Sequence, residues 1–305
     1  MCAGLHARAT PGAAWSEPIL DAVIDLHTHS AASDGTDPPR KVMEDAAAAG
    51  LTVVALTDHD TTAGWDEAAE AALEHGIALV RGAEISTRAA TATGSVSVHV
   101  LGYLHDPTHP DLLGELEKTR ESRLGRARRM TELLGQDFPI TWDDVLARTE
   151  DGATVGRPHL ADALVALGVV ASRDEAFATM LHPGAPYYVP YYAPDTVATV
   201  RAVRAAGGVP VMAHPGADAR GRVVEETTIE ELAAAGLAGL EADHRDHTPE
   251  TRARLRDLAA TLGLLVTGSS DYHGTGKPNR LGENTTAPEV LAAIEEEGLL
   301  GVVRP

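Results

Sequence analysis

Histidines spaced one residue apart, with carboxylates close behind, mark this 305-residue chain from its first apolar segment to its last. Asp25-Leu26-His27-Thr28-His29 is followed by Asp34-Gly35. Thr57-Asp58-His59-Asp60, Gly82-Ala83-Glu84, Val98-His99-Val100, Ala213-His214-Pro215 and Ser270-Asp271-Tyr272-His273-Gly274 complete the series. Neutral imidazole and carboxylate together suit Zn²⁺, Mn²⁺ or Fe²⁺ rather than Ca²⁺, which takes oxygen ligands. Residues i and i+2 of a strand share a face, so His27 and His29 can point into one site. One His-x-His pair is weak evidence, because unrelated histidines also fall at that spacing. The whole set is stronger: so many imidazoles, if buried as a plain polar network, would carry a large desolvation cost with no cation among them.

His27, His29, Asp34, His59, Glu84, His99, His214, Asp271 and His273 are too many ligands for one tetrahedral or octahedral ion. Three ions sharing nine ligands, with one bridging carboxylate, is a count that fits. Three divalent cations would outweigh the three carboxylates and reverse the local field in a chain of formal net charge -20. A dianionic phosphate is a natural guest at such a spot.

Composition narrows the classes. With 25 Lys+Arg against 45 Asp+Glu, the chain lacks the basic footprint on which affinity for long nucleic acid depends, so no long DNA is expected as a partner. Histidine (14 residues) far outnumbers lysine (Lys41, Lys118 and Lys277), as expected where imidazole has a task. An apolar share of 44% and a charged share of 23% are those of a globular protein. Cys2 is the single cysteine, which excludes an intrachain disulfide or a thiolate cluster and fits a reducing cytosol. No apolar run approaches the ~20 residues of a membrane span, and the first 20 residues lack the apolar core of a signal peptide. A cytoplasmic protein with no membrane partner is expected.

Elements must bring these residues together. Short apolar strands are read at 23–26, 51–56, 77–80, 96–103, 208–212, 237–241 and 264–267, with helices at 38–49, 62–75, 196–206, 228–235 and 249–262. Asp37 is a candidate cap for the first helix, with Gly50 and Gly76 as stops. Between 110 and 180 only helical patterns occur. The alternation predicts a parallel α/β sheet or barrel, with the chemistry at the C-terminal strand ends. Residues 1–20 read as an extension, 21–105 and 196–305 as the barrel, and 106–195 as a helical insertion capping the active site.

With these motifs in this order, the chain resembles the polymerase-and-histidinol-phosphatase (PHP) superfamily. The closer resemblance is to its TrpH-like phosphoesterases, which include 3′,5′-nucleoside bisphosphate phosphatases and the 5′→3′ exoribonuclease called ribonuclease AM. Ser33-Asp34-Gly35, Glu84-Ile85-Ser86, His99-Val100-Leu101-Gly102-Tyr103 and Gly156-Arg157-Pro158-His159 support it. The resemblance implies a distorted (β/α)7 barrel and a trinuclear centre, commonly with Mn²⁺. One ion would take His27, His29, Glu84 and Asp271, a second Glu84, His99 and His214, and a third Asp34, His59 and His273. It also implies hydrolysis of nucleotide phosphates or short RNA by a metal-activated hydroxide attacking phosphorus in line, with no side-chain nucleophile. The chain departs from the family at Asp243 and Arg245, where an aromatic and a Pro are common, and in 180–184, which lacks the usual Lys.

Substrate contacts are expected from Arg157 and His159, at the start of a helix in the insertion, and from His244 and His247 after the sixth strand. Arg157 is read either as a fork for a second phosphate or as a surface ion pair. Tyr187, Tyr188, Tyr191 and Tyr192 are read as base-stacking groups or as packing of the insertion. His6, His75, His105, His109 and His182 are read as solvated. Three other readings compete: a histidinol-phosphate phosphatase, a urease-type amidohydrolase, and a non-catalytic metal-binding PHP domain. The amidohydrolase class bridges its metals with a carboxylated strand lysine, and no lysine here falls at an expected strand end. The sequence leaves open the nucleobase, the physiological metal, the general acid, the oligomeric state and the choice between phosphatase and exonuclease.

Overall fold

The computed structural model describes residues 22–91 and 94–305, apart from the Arg220 side chain. The expected extension at 1–20, with His6, lies outside the described residues. Seven strands follow in sequence order around one sheet: β1 (Ile24–Thr28), β2 (Val53–Leu56), β3 (Ala78–Thr91), β4 (Gly94–Tyr103), β5 (Val209–Met212), β6 (Gly239–Asp243) and β7 (Leu265–Gly268). The ends of the sheet approach each other, because the His29 amide donates to the Tyr272 carbonyl at 2.8 Å. Asp25 adds to the closure by accepting from the amides of Ser270 (3.0 Å) and Gly282 (2.9 Å). The result is a nearly closed, distorted (β/α)7 barrel.

Period-2 patterning decides which side chains fill it. Ile24, Leu26, Val53, Ala55, Val80 and Val211 form one buried cluster inside the barrel. Val54, Leu56 and Leu79, at the intervening positions, pack against α1 (Pro39–Ala48) and α2 (Trp65–His75). Tyr103 is wholly buried in the interior and its hydroxyl donates to the Leu26 carbonyl at 2.9 Å. In β1 the register with β2 shifts between Asp25 and Thr28. Irregularities of this kind re-aim side chains. Here Leu26 fills the interior while its neighbour His27 joins His29 at the mouth.

The expectation of a parallel sheet holds on both flanks and fails in the middle. β3 pairs antiparallel with β4 from Gly82↔Tyr103 to Thr91↔Gly94, and β4 pairs antiparallel with β5. Only two residues separate β3 from β4, and so short a connection can only reverse the chain. The third strand accordingly runs to Thr91 instead of ending near residue 80. The first helix also differs from expectation at its start. Its N-cap is Pro38, with no side-chain cap, and the Asp37 carboxylate accepts from the Tyr272 hydroxyl at 2.9 Å. Gly50 and Gly76 do adopt positive φ at the helix ends.

Between β4 and α7 (Thr196–Ala205) the chain builds α3 (Pro110–Leu134), α4 (Trp142–Leu146), α5 (Arg157–Ala166), α6 (Arg173–Ala176) and a π-helical turn at Phe177–Leu181. These share an apolar cluster of their own, centred on Met130, Leu134, Val145, Leu160, Leu164 and Leu181. α8 (Glu226–Ala234) and α9 (Pro249–Leu262) cover β5 to β7, and α10 (Pro288–Glu297) closes the barrel floor. No helix of the described residues is long and apolar enough to cross a membrane.

Candidate metal centre

The nine side chains singled out by type converge at the barrel mouth. All are buried except His99 and His214, which are partly exposed. Glu84 sits at the middle. Its Oε1 lies 2.7 Å from His99 Nδ1 and 3.1 Å from His214 Nε2. Its Oε2 lies 3.1 Å from His29 Nε2, 3.2 Å from His59 Nδ1 and 3.3 Å from His27 Nε2. Asp271 Oδ1 faces His29 Nε2 (3.4 Å), His273 Nδ1 (3.4 Å) and His27 Nε2 (3.6 Å). Asp34 Oδ1 lies 3.2 Å from His273 Nε2.

The donor atoms form three overlapping groups, each within 4.8 Å: His27, His29, Glu84 and Asp271; His29, Asp34, His59 and His273; and His59, Glu84 and His99. His29 and His59 thus each stand between two groups, a sharing that the family partition does not contain. The chemistry of this set fits divalent cations. Asp34 Oδ1, His59 Nδ1 and His273 Nε2 are buried and make no hydrogen bond. The Nε2 atoms of His27 and His29 are aimed at one another 3.0 Å apart. Lone pairs turned towards a common point are satisfied by a cation.

The electrostatics follow from the crowding. Burial opposes charge on Glu84, yet the imidazoles of His59, His99, His27 and His214 hold its carboxyl well below the usual range. Burial would depress His27, but Glu241, Glu84 and Asp271 lift it well above the ordinary histidine value. His29 is likewise raised to about 9, against burial, by Asp271 and Glu84. Burial, reinforced by Lys277 and His29, pushes His273 down to about 4.

A supporting layer orients the donors. Glu241 Oε1 accepts from His27 Nδ1 at 2.9 Å and its Oε2 from the His214 amide at 2.7 Å. Ser269 Oγ also donates to Glu241. Asp58 accepts from the Ser30 amide (2.8 Å) and from the hydroxyls of Ser30 and Ser33 (both 2.6 Å), fixing the turn between His29 and Asp34. His273 Nδ1 is bonded to the Asp271 carbonyl at 2.8 Å. Such partners set ring orientation and ligand basicity in metal sites. Backbone strain collects here too. Of the four non-glycine residues with positive φ among the described residues, Asp60 (55°), His214 (29°) and Asp271 (53°) belong to this site.

His99 enters differently from the others. It stands in mid-strand on β4, opposite Ser86 of β3, because the hairpin runs that strand back across the mouth. Glu241, Asp58, Asp60 and Lys277 were not singled out by sequence reasoning. Asp58 and Asp60 flank His59 in its own motif, and Glu241 closes the strand expected at 237–241, so position was their one available signal. Lys277 Nζ donates to Asp271 Oδ2 at 3.1 Å.

The expected substrate contacts fall into different settings. Arg157 is partly buried over Phe177 (5.1 Å) and Tyr188 (5.8 Å), donates to the Leu181 carbonyl at 2.9 Å, and makes no ion pair among the described residues. His159 is buried, accepts from the Gly156 amide at 3.1 Å, and lines a cleft of about 970 Å³. That cleft lies between Thr36 and Lys277 of the barrel and Arg148 and Arg173 of the helical segment. His244 Nε2 is 3.5 Å from Asp271 Oδ2. His247 has both ring nitrogens on main chain, at Ala242 O (2.9 Å) and Gly216 N (3.0 Å). Tyr187 packs on Phe138 and Tyr192 donates to Glu115, whereas Tyr188 and Tyr191 face guanidinium groups.

His75 and His182 are exposed as expected, and His109 is half-buried. His105 corrects the reading of it as solvated. It is wholly buried against Trp65, and burial takes its pKa down to about 4.

A seven-stranded barrel with buried imidazoles gathered around shared carboxylates at its mouth defines a metal-dependent phosphoesterase. Residues 25–135 match the family profile described as PHP domain. The chain is 35% identical over 284 residues to a 3′,5′-nucleoside bisphosphate phosphatase of Chromobacterium violaceum, covering 92% of this chain and 98% of that one. It is 34% identical over 275 residues to a 5′-3′ exoribonuclease of Haemophilus influenzae, covering 90% and 98% respectively. A solved structure from Bifidobacterium adolescentis, itself provisionally assigned as a metal-dependent phosphoesterase, superposes with a TM-score of 0.88. It is 47% identical, with 93% of this chain and 98% of that chain covered. The chain belongs to the PHP family and is a hydrolase of phosphate esters.

Proposed function

We propose that the enzyme removes the 3′-phosphate from nucleoside 3′,5′-bisphosphates, and that trimming of short RNA from its 5′ end is a second reaction of the same site. The observation that carries this reading is the pairing of two features, linked through Arg123, which contacts Asp60 and Ser86 near His59 and Glu84 in sequence. One is a carboxylate-bridged cluster built for cations, and the other is a wall of guanidinium and phenol groups suited to the rest of a nucleotide. Likeness over nearly the full length to a bisphosphate phosphatase and an exoribonuclease supports it. The charge of -20 favours single nucleotides and very short oligonucleotides over long chains. The single cysteine fits work in the cytoplasm.

Three divalent ions are proposed, Mn²⁺ before Zn²⁺ or Fe²⁺. His27, His29, Glu84 and Asp271 would hold one, Glu84, His99 and His214 a second, and Asp34, His59 and His273 the third. Ions so placed supply Lewis acidity towards phosphoryl oxygens and lower the pKa of water towards neutrality. The protein's own groups do the rest. Glu241 engages Nδ1 of His27 and leaves Nε2 facing the cluster. The Asp271 carbonyl does the same for His273. Arg157 offers a planar fork to a phosphate. His244, whose Nε2 is buried at the mouth without a hydrogen bond, is placed to carry a proton for the leaving oxygen. His247 steadies His244 from a ring-centroid distance of 5.5 Å, and His159 holds the start of α5.

The test compares phosphate and mononucleotide release by Mn²⁺-loaded protein from adenosine 3′,5′-bisphosphate, histidinol phosphate and a 5′-phosphorylated RNA tetramer. An Asp271→Asn control should lose about two orders of magnitude in rate. Release of the 3′-phosphate, with or without trimming, supports the reading. Turnover of histidinol phosphate alone would replace it.

A further inference from the structure

Asp34 and His273 share one donor group but stand on loops from opposite ends of the sheet, one following β1 and the other following β7. The two loops are joined beside the ligands themselves. The Thr36 amide donates to the His273 carbonyl at 3.2 Å, and the Thr275 amide donates to the Thr36 hydroxyl at 2.8 Å. The seam is close. Gly274 has a φ of 64°, and a β-carbon there would collide with Thr36.

A further contact reaches both loops from α6. Arg173 Nη1 donates to the Asp34 carbonyl at 3.5 Å and to the Gly276 carbonyl at 3.4 Å. That approach needs glycine at 276, because a β-carbon would strike the guanidinium. The other edge of the fork is engaged as well: Nε and Nη2 each donate to one oxygen of Asp162 on α5, both at 2.5 Å. Four of the five N–H groups are thereby used. Arg173 therefore borders the cleft as a strut, with its fork already taken.

Charge alone is a poor reason for an arginine here. A cation beside groups built to hold cations weakens them by repulsion. Asp162 offsets that charge, and what the loops receive is a pair of N–H donors. Metal ligands must keep their distances to within about 0.2 Å, whereas loops are the more mobile parts of a fold. Asp162 also lies three residues beyond His159, on the helix that Arg157 opens. One bridge thus joins α5 to both ligand loops.

We infer that Arg173 is a positioning residue for the ion assigned to Asp34, His59 and His273. It locks the two ligand loops together and ties them to α5 and α6, so this ion binds tightly only while the helical segment is docked. The inference deepens the proposed function and rests on its assignment of that ion.

The experiment titrates metal-stripped, full-length protein with Mn²⁺ by calorimetry and counts bound ions by elemental analysis. It compares wild type, R173M, R173K, D162A, H273A and the double variant R173M/H273A, with melting of each stripped protein as the check on folding. Support and repulsion predict opposite signs. R173M should weaken one ion about 10–100-fold and leave one fewer bound at limiting Mn²⁺, whereas removing a merely repulsive charge would tighten binding. R173K keeps the charge without the fork and should bind no better than R173M. D162A should move binding in the same direction. In the His273→Ala background, where that ion is already lost, R173M should subtract nothing more. The proposal is wrong if R173M binds Mn²⁺ as well as wild type or better, if R173K restores binding, or if R173M removes an ion from the His273→Ala protein. Should stripped R173M not fold, D162A decides by the same count, and wild-type binding by D162A then overturns the proposal. A wild type that holds only two ions would overturn the proposed count, and loss of one of those two in R173M would still support the strut.

Discussion

Glu241 spans two candidate ligands, one on β1 and one just beyond β5: one oxygen holds His27 Nδ1 at 2.9 Å, and the other holds the His214 amide at 2.7 Å. A single buried carboxylate therefore sets the ring orientation of one candidate ligand and the strained backbone of the other. Replacing Glu241 by Gln keeps the shape and removes the charge. Outer partners of this type are worth about 10–100-fold in metal affinity. Calorimetric titration of stripped protein with Mn²⁺ should show a loss in that range, and unchanged affinity would mean that Glu241 only fills space.

Glu84 and His99 should differ in how many ions they cost. Glu84 belongs to two of the three donor groups and His99 to one. After dialysis against limiting Mn²⁺, elemental analysis should find about one ion fewer in His99→Ala and more than one fewer in Glu84→Gln. Equal losses would argue against Glu84 as a bridge.

The motifs at the strand ends made most of this site legible. Short apolar runs followed closely by His, Asp or Glu point to the barrel order and to eight of the nine candidate ligands, whereas His99 lies inside its strand and was singled out by type. The direction of β4 was hidden, because an apolar run looks the same whichever way it is traversed. Glu241 was passed over because a carboxylate that supports a ligand looks the same in sequence as one that binds an ion, and His105 because it opens a polar run that reads as a solvated loop. For both, a partner distant in sequence supplies the meaning.

His105 gives a pH prediction away from the metal ligands. It is neutral and buried, with a folded pKa of about 4 against 6.5 in the open chain. Because the folded value is depressed, its contribution is complete above pH 6.5 and is lost as pH falls towards 4, when the unfolded chain takes up the proton. The shift corresponds to about 3 kcal/mol at most. Urea unfolding of wild type and His105→Gln should therefore converge in stability between pH 6.5 and 4. Parallel curves would show that His105 does not titrate with folding.

Tyr103 tests the barrel interior. Tyr103→Phe removes the hydroxyl that satisfies the buried Leu26 carbonyl and should cost about 1–3 kcal/mol in denaturant unfolding. A loss well under 1 kcal/mol would mean that another donor reaches that carbonyl.

The left-handed backbone at Asp271, with φ of 53°, has a practical side. Asparagine is, after glycine, among the residues most at ease in that conformation. An Asp271→Asn exchange thus subtracts one unit of negative charge while the loop between β7 and the Lys277 segment keeps its course. The site comes with its own isosteric blank, in which chemistry can be switched off without disturbing architecture.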